Sequence, residues 1–243
     1  MKPLHRWDLR PDEAVNVQAE LRSRIKLDWD ARPVNLIAGV DMSLTGGKAH
    51  AAVVVLRYPN LEPVEGVTAD APLAFPYVPG LLSFREGPAI LAAWAKLTHQ
   101  PSLVMFDGQG IAHPRGMGIA SQMGLWLETP AIGVGKSKLY GQFDQPGPDA
   151  GDTASLIDPR TKQVIGAVLR SRERANPLFI SPGHLIDVAH ALEFVRACLR
   201  GYRLPEPTRW AHKFAAGEAL PGLSANLADD TAGDAAGDQL PLF

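Results

Sequence analysis

Short apolar runs alternate along the chain with segments in which apolar residues recur at helical spacing. Apolar runs bounded by turn residues predict strands, and a spacing of three to four residues predicts amphipathic helices. The predicted strands are residues 36–42, 49–58, 61–68, 102–107, 131–134, 164–169 and 178–180. The predicted helices are residues 11–27, 87–99, 116–128 and 187–200, the last with Asp187 as its N-cap.

The order of these elements predicts the fold class. Three antiparallel strands, the first two joined by a turn at Gly46 and Gly47, are followed by helix, strand, helix and strand. This order is typical of an α/β protein with one mixed sheet and helices on both faces. The strands at 36–42 and 102–107 are continuously apolar, so we expect them in the middle of the sheet.

Composition narrows the class of protein. The 243 residues are 46% hydrophobic and 21% charged, which is ordinary for a globular chain and excludes a fibre or a wholly disordered protein. The single cysteine, Cys198, excludes an intramolecular disulfide and a four-cysteine zinc site. We find no apolar run of membrane-spanning length and no signal-peptide pattern in residues 1–10, so we expect a cytoplasmic protein.

Charge is unevenly distributed. The net charge of −2 argues against a nucleic-acid partner when it is taken alone. No Lys or Arg follows Lys213, so residues 214–243 carry −5 and residues 1–213 carry +3. A surface that binds nucleic acid would therefore have to be local. Residues 214–238 are rich in Ala, Gly and Asp and predict a disordered acidic linker.

Acidic residues end two of the predicted strands. Asp41 and Asp107 each follow an apolar run, and neighbouring parallel strands would bring both carboxylates to one ligand-binding edge. Hard divalent cations prefer such oxygen ligands, although either Asp could instead be a turn residue or a helix N-cap. Glu86 comes near a helix start, where spacing alone favours a capping box with Ser83.

Six stretches of the sequence together resemble the endonuclease V family. The most specific are Pro-Tyr-Val-Pro-Gly with Phe-Arg-Glu, within residues 76–86, and Asp-Gly-Gln-Gly with His-Pro-Arg, within residues 106–115. The others are residues 37–41, 132–138, 176–184 and 201–209, and the similarity covers about residues 12–213. The resemblance implies a ribonuclease H-like fold and a nuclease directed to deoxyinosine in DNA.

The resemblance also implies roles for particular residues. Asp41, Glu86 and Asp107 would hold a catalytic Mg²⁺, with Mn²⁺ as an alternative and His212 as a further candidate near the metal. Lys136 would contact the scissile phosphate or orient the attacking water. His113 and Arg115 would contact phosphate or hydrogen-bond to the residues that hold the metal. Lone surface lysines and histidines are the alternative interpretation of Lys136 and His212.

A wedge and a lesion pocket are implied as well. Tyr77, stiffened by Pro76 and Pro79, would insert into the duplex beside the lesion. The flipped base would enter a pocket lined by Gly80, Leu82, Gly108, Ile119 and Leu139. An ordinary loop tyrosine and plain core packing are the alternatives.

Two positions depart from the family pattern. Gln122 occupies a position where relatives often have His, which puts an essential imidazole there in doubt. Gln109 stands where His is also seen, and its amide still donates and accepts hydrogen bonds.

The last five residues resemble the short peptides by which bacterial repair proteins bind the DNA polymerase sliding clamp. Gln239, Leu240, Leu242 and Phe243 provide the glutamine and apolar anchors of such a peptide. We therefore predict a catalytic domain at 1–213, a linker at 214–238 and a clamp-binding peptide at 239–243. An apolar end without a partner, or one that docks onto its own domain, is the alternative.

The expected reaction is metal-dependent hydrolysis of the second phosphodiester bond 3′ to deoxyinosine, leaving 3′-hydroxyl and 5′-phosphate ends. We expect a monomer that acts on damaged DNA and has no membrane partner. A ribonuclease for inosine-containing RNA and a non-catalytic lesion-binding protein remain alternatives.

Overall fold

The structure, a computed structural model, describes residues 3–223. Most of the predicted linker and the whole predicted clamp peptide, Gln239, Leu240, Leu242 and Phe243 included, lie outside the described residues. Among residues 3–223, no helix is long and apolar enough to cross a membrane.

Eight strands form one mixed sheet in the order β3-β2-β1-β4-β5-β8-β7-β6. The strands are β1 (Leu36–Thr45), β2 (Lys48–Arg57), β3 (Glu62–Pro72), β4 (Leu103–Phe106), β5 (Ala131–Gly135), β6 (Thr153–Ile157), β7 (Val164–Leu169) and β8 (Leu178–His184). The predicted three-strand antiparallel start and the central position of β1 and β4 are confirmed. The sequence analysis missed β6, a short strand at the sheet edge.

Residues 3–223 form five helices, which are α1 (Pro11–Arg22), α2 (Leu82–Trp94), α3 (Ile119–Leu127), α4 (Val188–Ala197) and α5 (Glu206–Ala215). Four of them, α2 to α5, cover the two faces of the sheet. Helices on both faces were predicted, whereas α5 was not. Helices α2 and α3 share one hydrophobic core with the sheet, and α4 and α5 share the core on the opposite face. Asp187 caps α4 as predicted, because its side chain accepts a hydrogen bond from the backbone N–H of His190.

Helix α2 begins five residues before the predicted start at 87. Its N-cap is Leu81, which makes no side-chain capping bond, so the capping box of Ser83 with Glu86 was a wrong prediction. The Ser83 hydroxyl instead donates to Gln122 on α3. The earlier start places Glu86 inside the helix, where its side chain is buried.

The folded part of the chain extends beyond residue 213. Helix α5 continues to Ala215, and Leu220 is buried in the core beneath α4 and α5. A side chain at Gly66 on β3 would collide with Leu220, so this segment packs directly on the sheet. The predicted start of the acidic linker at 214 was therefore too early.

Candidate active site

Asp41 and Asp107 lie side by side on the two central strands, where β4 ends. Asp41 is inside β1 and not at its end as predicted, because the strand continues to Thr45. Strands β1 and β4 are parallel, and Val40 is paired with Phe106, so the next residue on each strand is an aspartate. The backbone N–H of Asp107 donates to the carbonyl of Val40 at 3.1 Å, which continues the ladder past the strand end. The prediction that neighbouring strands would bring these two carboxylates together is confirmed.

Two cationic or ionisable side chains converge on this pair. The Lys136 ammonium, directly after β5, lies 2.5 Å from Asp107 Oδ2. His212 Nδ1 on α5 lies 2.9 Å from Asp41 Oδ2. The close approach of α5 depends on Gly39, since a side chain there would collide with the Pro207 carbonyl at the start of the helix.

Burial and mutual repulsion act on the carboxylates. The pKa of Asp41 is raised to about 6, first by burial and then by Asp107, while His212 and Lys136 oppose the rise. The pKa of Glu86 is raised to about 7 by burial and by the charges of Asp41 and Asp107. Carboxylates whose pKa is raised by burial and by each other's charge are stabilised in the ionised form when a cation lies among them.

The three carboxylates are chemically suited to a hard divalent cation. In this structure, however, they do not come close enough together to surround one. Within residues 3–223, no three His, Cys, Asp or Glu side chains stand close enough to hold a metal ion as they are. Asp41 and Asp107 are in hydrogen-bond contact with each other, whereas their charges act on Glu86 without a hydrogen bond to it. Oxygen ligands from all three carboxylates are what such a cation prefers.

A cavity of about 320 Å³ opens beside the carboxylates, within the size range of small-ligand pockets. All five residues predicted to form a lesion pocket line it, namely Gly80, Leu82, Gly108, Ile119 and Leu139. Asp107 and Lys136 also line it, so the cavity and the carboxylate pair share a wall. The structure thus brings the predicted pocket and the predicted catalytic residues together.

Tyr77 stands at the rim of this cavity. Its side chain is 72% exposed, and Pro76 and Pro79 beside it are exposed as well. The Arg85 guanidinium, one residue before Glu86, lies 6.0 Å from the Tyr77 ring centroid. The sequence analysis did not single out Arg85, although the Phe-Arg-Glu stretch contains it.

The carbonyl of Gly80 is held by three donors. It accepts hydrogen bonds from Gln18 Nε2 at 3.0 Å, His113 Nε2 at 3.0 Å and the Arg115 guanidinium at 2.7 Å. Burial, followed by the Arg115 charge, lowers the pKa of His113 to about 4, so its ring is neutral and donates from Nε2. His113 and Arg115 therefore fix the pocket loop, and no contact joins them to the carboxylates.

Gln18 completes this network from α1. It is fully buried, donates also to the Met117 carbonyl at 3.0 Å and accepts from Arg115 Nε at 2.5 Å. The sequence analysis missed it because 62 residues separate it from Gly80 and no local pattern marks it.

Gln122 has no part in the carboxylate cluster. It is fully buried, where its amide accepts from Ser83 Oγ at 2.6 Å and faces His5 Nε2 at 3.0 Å. Trp126 Nε1 donates to the same His5 nitrogen at 3.1 Å, and burial lowers the pKa of His5. An imidazole at position 122 is thus not required by this site, since the position joins α2, α3 and the N-terminal segment.

Comparison with known proteins identifies the family of the chain. The family model of endonuclease V matches residues 19–213. An endonuclease V from Dehalococcoides mccartyi is 46% identical over 218 residues, which are 89% of this chain and 97% of the relative. The crystal structure of endonuclease V from Streptomyces avermitilis superimposes with a TM-score of 0.81 and 38% identity, covering 87% of this chain and 93% of that one.

A more distant relative was solved with nucleic acid. Endonuclease V from Ciona intestinalis, in complex with a 23mer DNA containing an inosine followed by a ribo-adenosine, superimposes with a TM-score of 0.73 and 25% identity. The match covers 86% of this chain and 98% of that one.

The mixed sheet with helices on both faces and paired carboxylates on neighbouring parallel strands defines a nuclease with a ribonuclease H-like fold. Within that class, the chain belongs to the endonuclease V family. Enzymes of this family generally need a divalent metal ion.

Proposed function

We propose that this endonuclease recognises deoxyinosine in DNA and hydrolyses the second phosphodiester bond 3′ to it, leaving 3′-hydroxyl and 5′-phosphate ends. The observation that carries the proposal is the wall shared by the cavity and the carboxylate pair through Asp107 and Lys136. A base held in the cavity would keep its own backbone close to the carboxylates. The inosine-containing DNA bound by the Ciona relative supports the same substrate.

Asp41, Asp107 and Glu86 would hold the divalent cation, Mg²⁺ with Mn²⁺ as a substitute. When bound, such a cation lowers the pKa of a coordinated water and offsets charge on the phosphate. His212 orients the Asp41 carboxylate through its 2.9 Å contact. Lys136 neutralises charge at the phosphate, from a position already beside Asp107.

The wedge and pocket explain how a base leaves the duplex. An exposed ring at Tyr77, on a loop stiffened by Pro76 and Pro79, fills the gap left in the stack. Hypoxanthine then lies against Leu82, Ile119 and Leu139, with backbone groups near Gly80 and Gly108 reading its pairing edge. Close packing excludes the exocyclic amine of guanine.

Cleavage of a deoxyinosine duplex by wild type, Asp41→Ala and Lys136→Ala tests this proposal. Both variants should lose at least about a thousandfold in rate, because several kcal/mol of charge stabilisation depends on these groups. Lys26→Ala is the matched control, since Lys26 is exposed and lies at the opposite end of β5, where its carbonyl accepts from the Leu185 N–H just after β8. Equal cleavage by Asp41→Ala would show that the assigned metal site is wrong.

Two further substrates complete the test. A DNA duplex with deoxyadenosine in place of deoxyinosine should be left intact. A matched RNA with inosine should be cleaved more slowly than the DNA, and preferential cleavage of the RNA would make a ribonuclease the better assignment.

We further propose that Gln239, Leu240, Leu242 and Phe243 bind the bacterial sliding clamp and tether the enzyme to replicated DNA. Purified clamp should retain the full-length chain and fail to retain a chain that ends at Asp238. The matched control is Leu240→Ala with Phe243→Ala, which keeps the length and removes two apolar anchors. Retention of the shortened chain would contradict the proposal.

A further inference from the structure

A loop of arginines lies next to Lys136 on the side away from the cavity. Strand β5 pairs with β8, with Gly135 opposite Phe179, so the residues just before β8 lie beside Lys136. The connection between β7 and β8, residues 170–177, therefore lies at the same end of the sheet as Lys136. It carries Arg172 and Arg174, both exposed.

Arg203 ties this loop to the catalytic lysine. Its guanidinium donates to the carbonyl of Lys136 at 2.6 Å and to the carbonyls of Asn176 at 2.8 Å and Pro177 at 3.3 Å. Its own carbonyl accepts from Ser171 Oγ at 2.6 Å. The two ends of the loop are therefore fixed to one residue that also holds Lys136.

The loop presents positive charge to solvent. The Arg174 side chain is 92% exposed and forms only an exposed ion pair with its neighbour Glu173 at 3.3 Å, a pair that contributes little stability. Arg174 precedes Asn176 by two residues, so their Cα atoms are at most about 7 Å apart. The guanidinium groups can thus reach phosphates that adjoin the one beside Lys136.

An exposed aromatic ring lies on the same surface. Tyr202 precedes Arg203, is 52% exposed and has the Arg209 guanidinium 4.3 Å from its ring centroid. This connection between α4 and α5 belongs to the face of the sheet opposite the cavity, which lies on the side of α2 and α3. A cation and an exposed ring are the usual parts of a surface that holds a nucleic acid strand.

We propose that Arg172, Arg174 and Tyr202 form a surface that holds the DNA strand 3′ of the cleaved bond. The inference rests on the proposed function: with the base in the cavity and the cleaved bond over Asp41 and Asp107, the strand crosses the sheet edge toward this surface. The 5′-phosphate product then leaves from it. The small charge of the folded chain is compatible with this, because residues 170–177 alone carry three arginines against one glutamate.

Substrate truncation combined with a charge-removing variant tests the proposal. Arg172→Ala with Arg174→Ala should raise KM about tenfold on a deoxyinosine duplex with long flanks, with kcat unchanged, for the loss of two exposed ion pairs. Shortening the 3′ flank to just beyond the cleaved bond should remove the difference between variant and wild type. Shortening the 5′ flank should leave it in place.

The matched control removes two arginines from the other end of the sheet. Arg57 is paired with Leu36, the first residue of β1, and Arg32 lies four residues before that strand. Arg32→Ala with Arg57→Ala should leave KM unchanged on every substrate. Loss of affinity in this control equal to that of Arg172→Ala with Arg174→Ala would overturn the proposal, and so would a loss that does not depend on the 3′ flank.

Binding of the intact duplex in the presence of a chelator separates this inference from the proposed function. The slope of log K against log salt should become shallower by about two in the Arg172→Ala, Arg174→Ala variant. An unchanged slope would overturn the surface even if wild type cleaves deoxyinosine. Absence of cleavage by wild type would instead count against the proposed function.

The ring has its own test. Tyr202→Ala should raise KM several-fold on the substrate with the long 3′ flank, and Tyr202→Phe should retain wild-type KM, because stacking needs the ring alone. Equal KM for Tyr202→Ala and wild type, with an unchanged melting temperature, would remove Tyr202 from the surface.

Discussion

Ionised Glu86 lowers the stability of the folded protein. Its pKa is raised to about 7 by burial and by two neighbouring carboxylates, so folding favours the protonated form. The stabilising contribution of that proton is present below about pH 4.5 and is lost as pH rises through about 7. A carboxylate retained at this cost is typical of a site whose charge serves function.

We predict that Glu86→Gln stabilises the metal-free protein at pH 8. The neutral amide avoids the buried charge, so the variant should gain about 2 kcal/mol, which corresponds to several degrees in Tm. At pH 4 the two proteins should melt within about 1 °C of each other, since Glu86 is then protonated in the folded protein and largely protonated in the unfolded chain. Thermal melts with a chelator at both pH values measure the difference.

Glu65 provides a control of opposite sign. Burial acts to raise its pKa, but hydrogen bonds from Thr98 and His99 outweigh burial and lower it. Glu65→Gln should therefore lower Tm more at pH 8 than at pH 3. A Glu86→Gln variant that melts below wild type at pH 8 would contradict the assigned cause.

Gln18 positions the pocket through the Gly80 carbonyl. Gly80 has a φ of +80°, which glycine adopts without steric cost, so the hydrogen bonds to its carbonyl are what fix this loop. We predict that Gln18→Met, which removes the amide at similar length, raises KM for a deoxyinosine duplex by about tenfold and changes kcat less. The reason is a loosened pocket loop around an intact carboxylate pair.

Steady-state cleavage of the deoxyinosine duplex over a range of substrate concentrations gives KM and kcat separately and checks the prediction for Gln18. Glu20→Met, at an exposed position on the same helix, is the control and should behave as wild type. A fall in kcat with KM unchanged would mean that Gln18 supports the carboxylates instead of the pocket.

At the scale of elements, the segment before α1, which contains Trp7, packs on α2 and α3. The Trp7 ring stacks on Trp126 at 5.1 Å and occupies the space beside Gly87, where a side chain would collide with the indole. Glu86 and Gly87 are neighbours on α2, so packing of this segment bears on the position of the carboxylate.

We predict that Gly87→Ala destabilises the protein although alanine is the better helix former by about 1 kcal/mol. The collision with Trp7 outweighs that gain and should give a net loss of about 1 to 3 kcal/mol. Combined with Trp7→Leu, the same substitution should cost less than it does alone, a coupling that denaturant unfolding measures. Strict additivity of the two substitutions would show that Trp7 does not pack on Gly87.

Features marked by a local sequence pattern could be predicted, whereas contacts between distant parts of the chain could not. Apolar runs located β1 and β4, and their parallel pairing brought Asp41 and Asp107 together as expected. Helix α5 was missed because Pro205 and Pro207 were not interpreted as a helix start, although proline is favoured in the first turn. Contacts such as Gln18 with Gly80 depend on tertiary packing across 62 residues, which no local pattern contains.

At the scale of the whole molecule, charge is divided between two parts of the chain. Residues 1–223 carry a formal charge of +2, and residues 224–243 carry −4 from Asp229, Asp230, Asp234 and Asp238. The acidic part competes with DNA for the basic surface wherever the chain allows the two to meet, because both are anions. It would thereby lower affinity for undamaged DNA more than for a lesion held in the pocket.

We predict that a chain ending at Leu223 binds undamaged duplex on the order of fivefold more tightly at low salt, with the gain disappearing above about 0.3 M salt. Full-length protein with all four aspartates changed to asparagine is the matched control: it keeps the length and the terminal peptide and should show the same gain. Fluorescence anisotropy over a salt series measures both. A gain in the shortened chain alone would assign the effect to chain length, and equal affinity of all three proteins would show that the acidic residues do not compete with DNA.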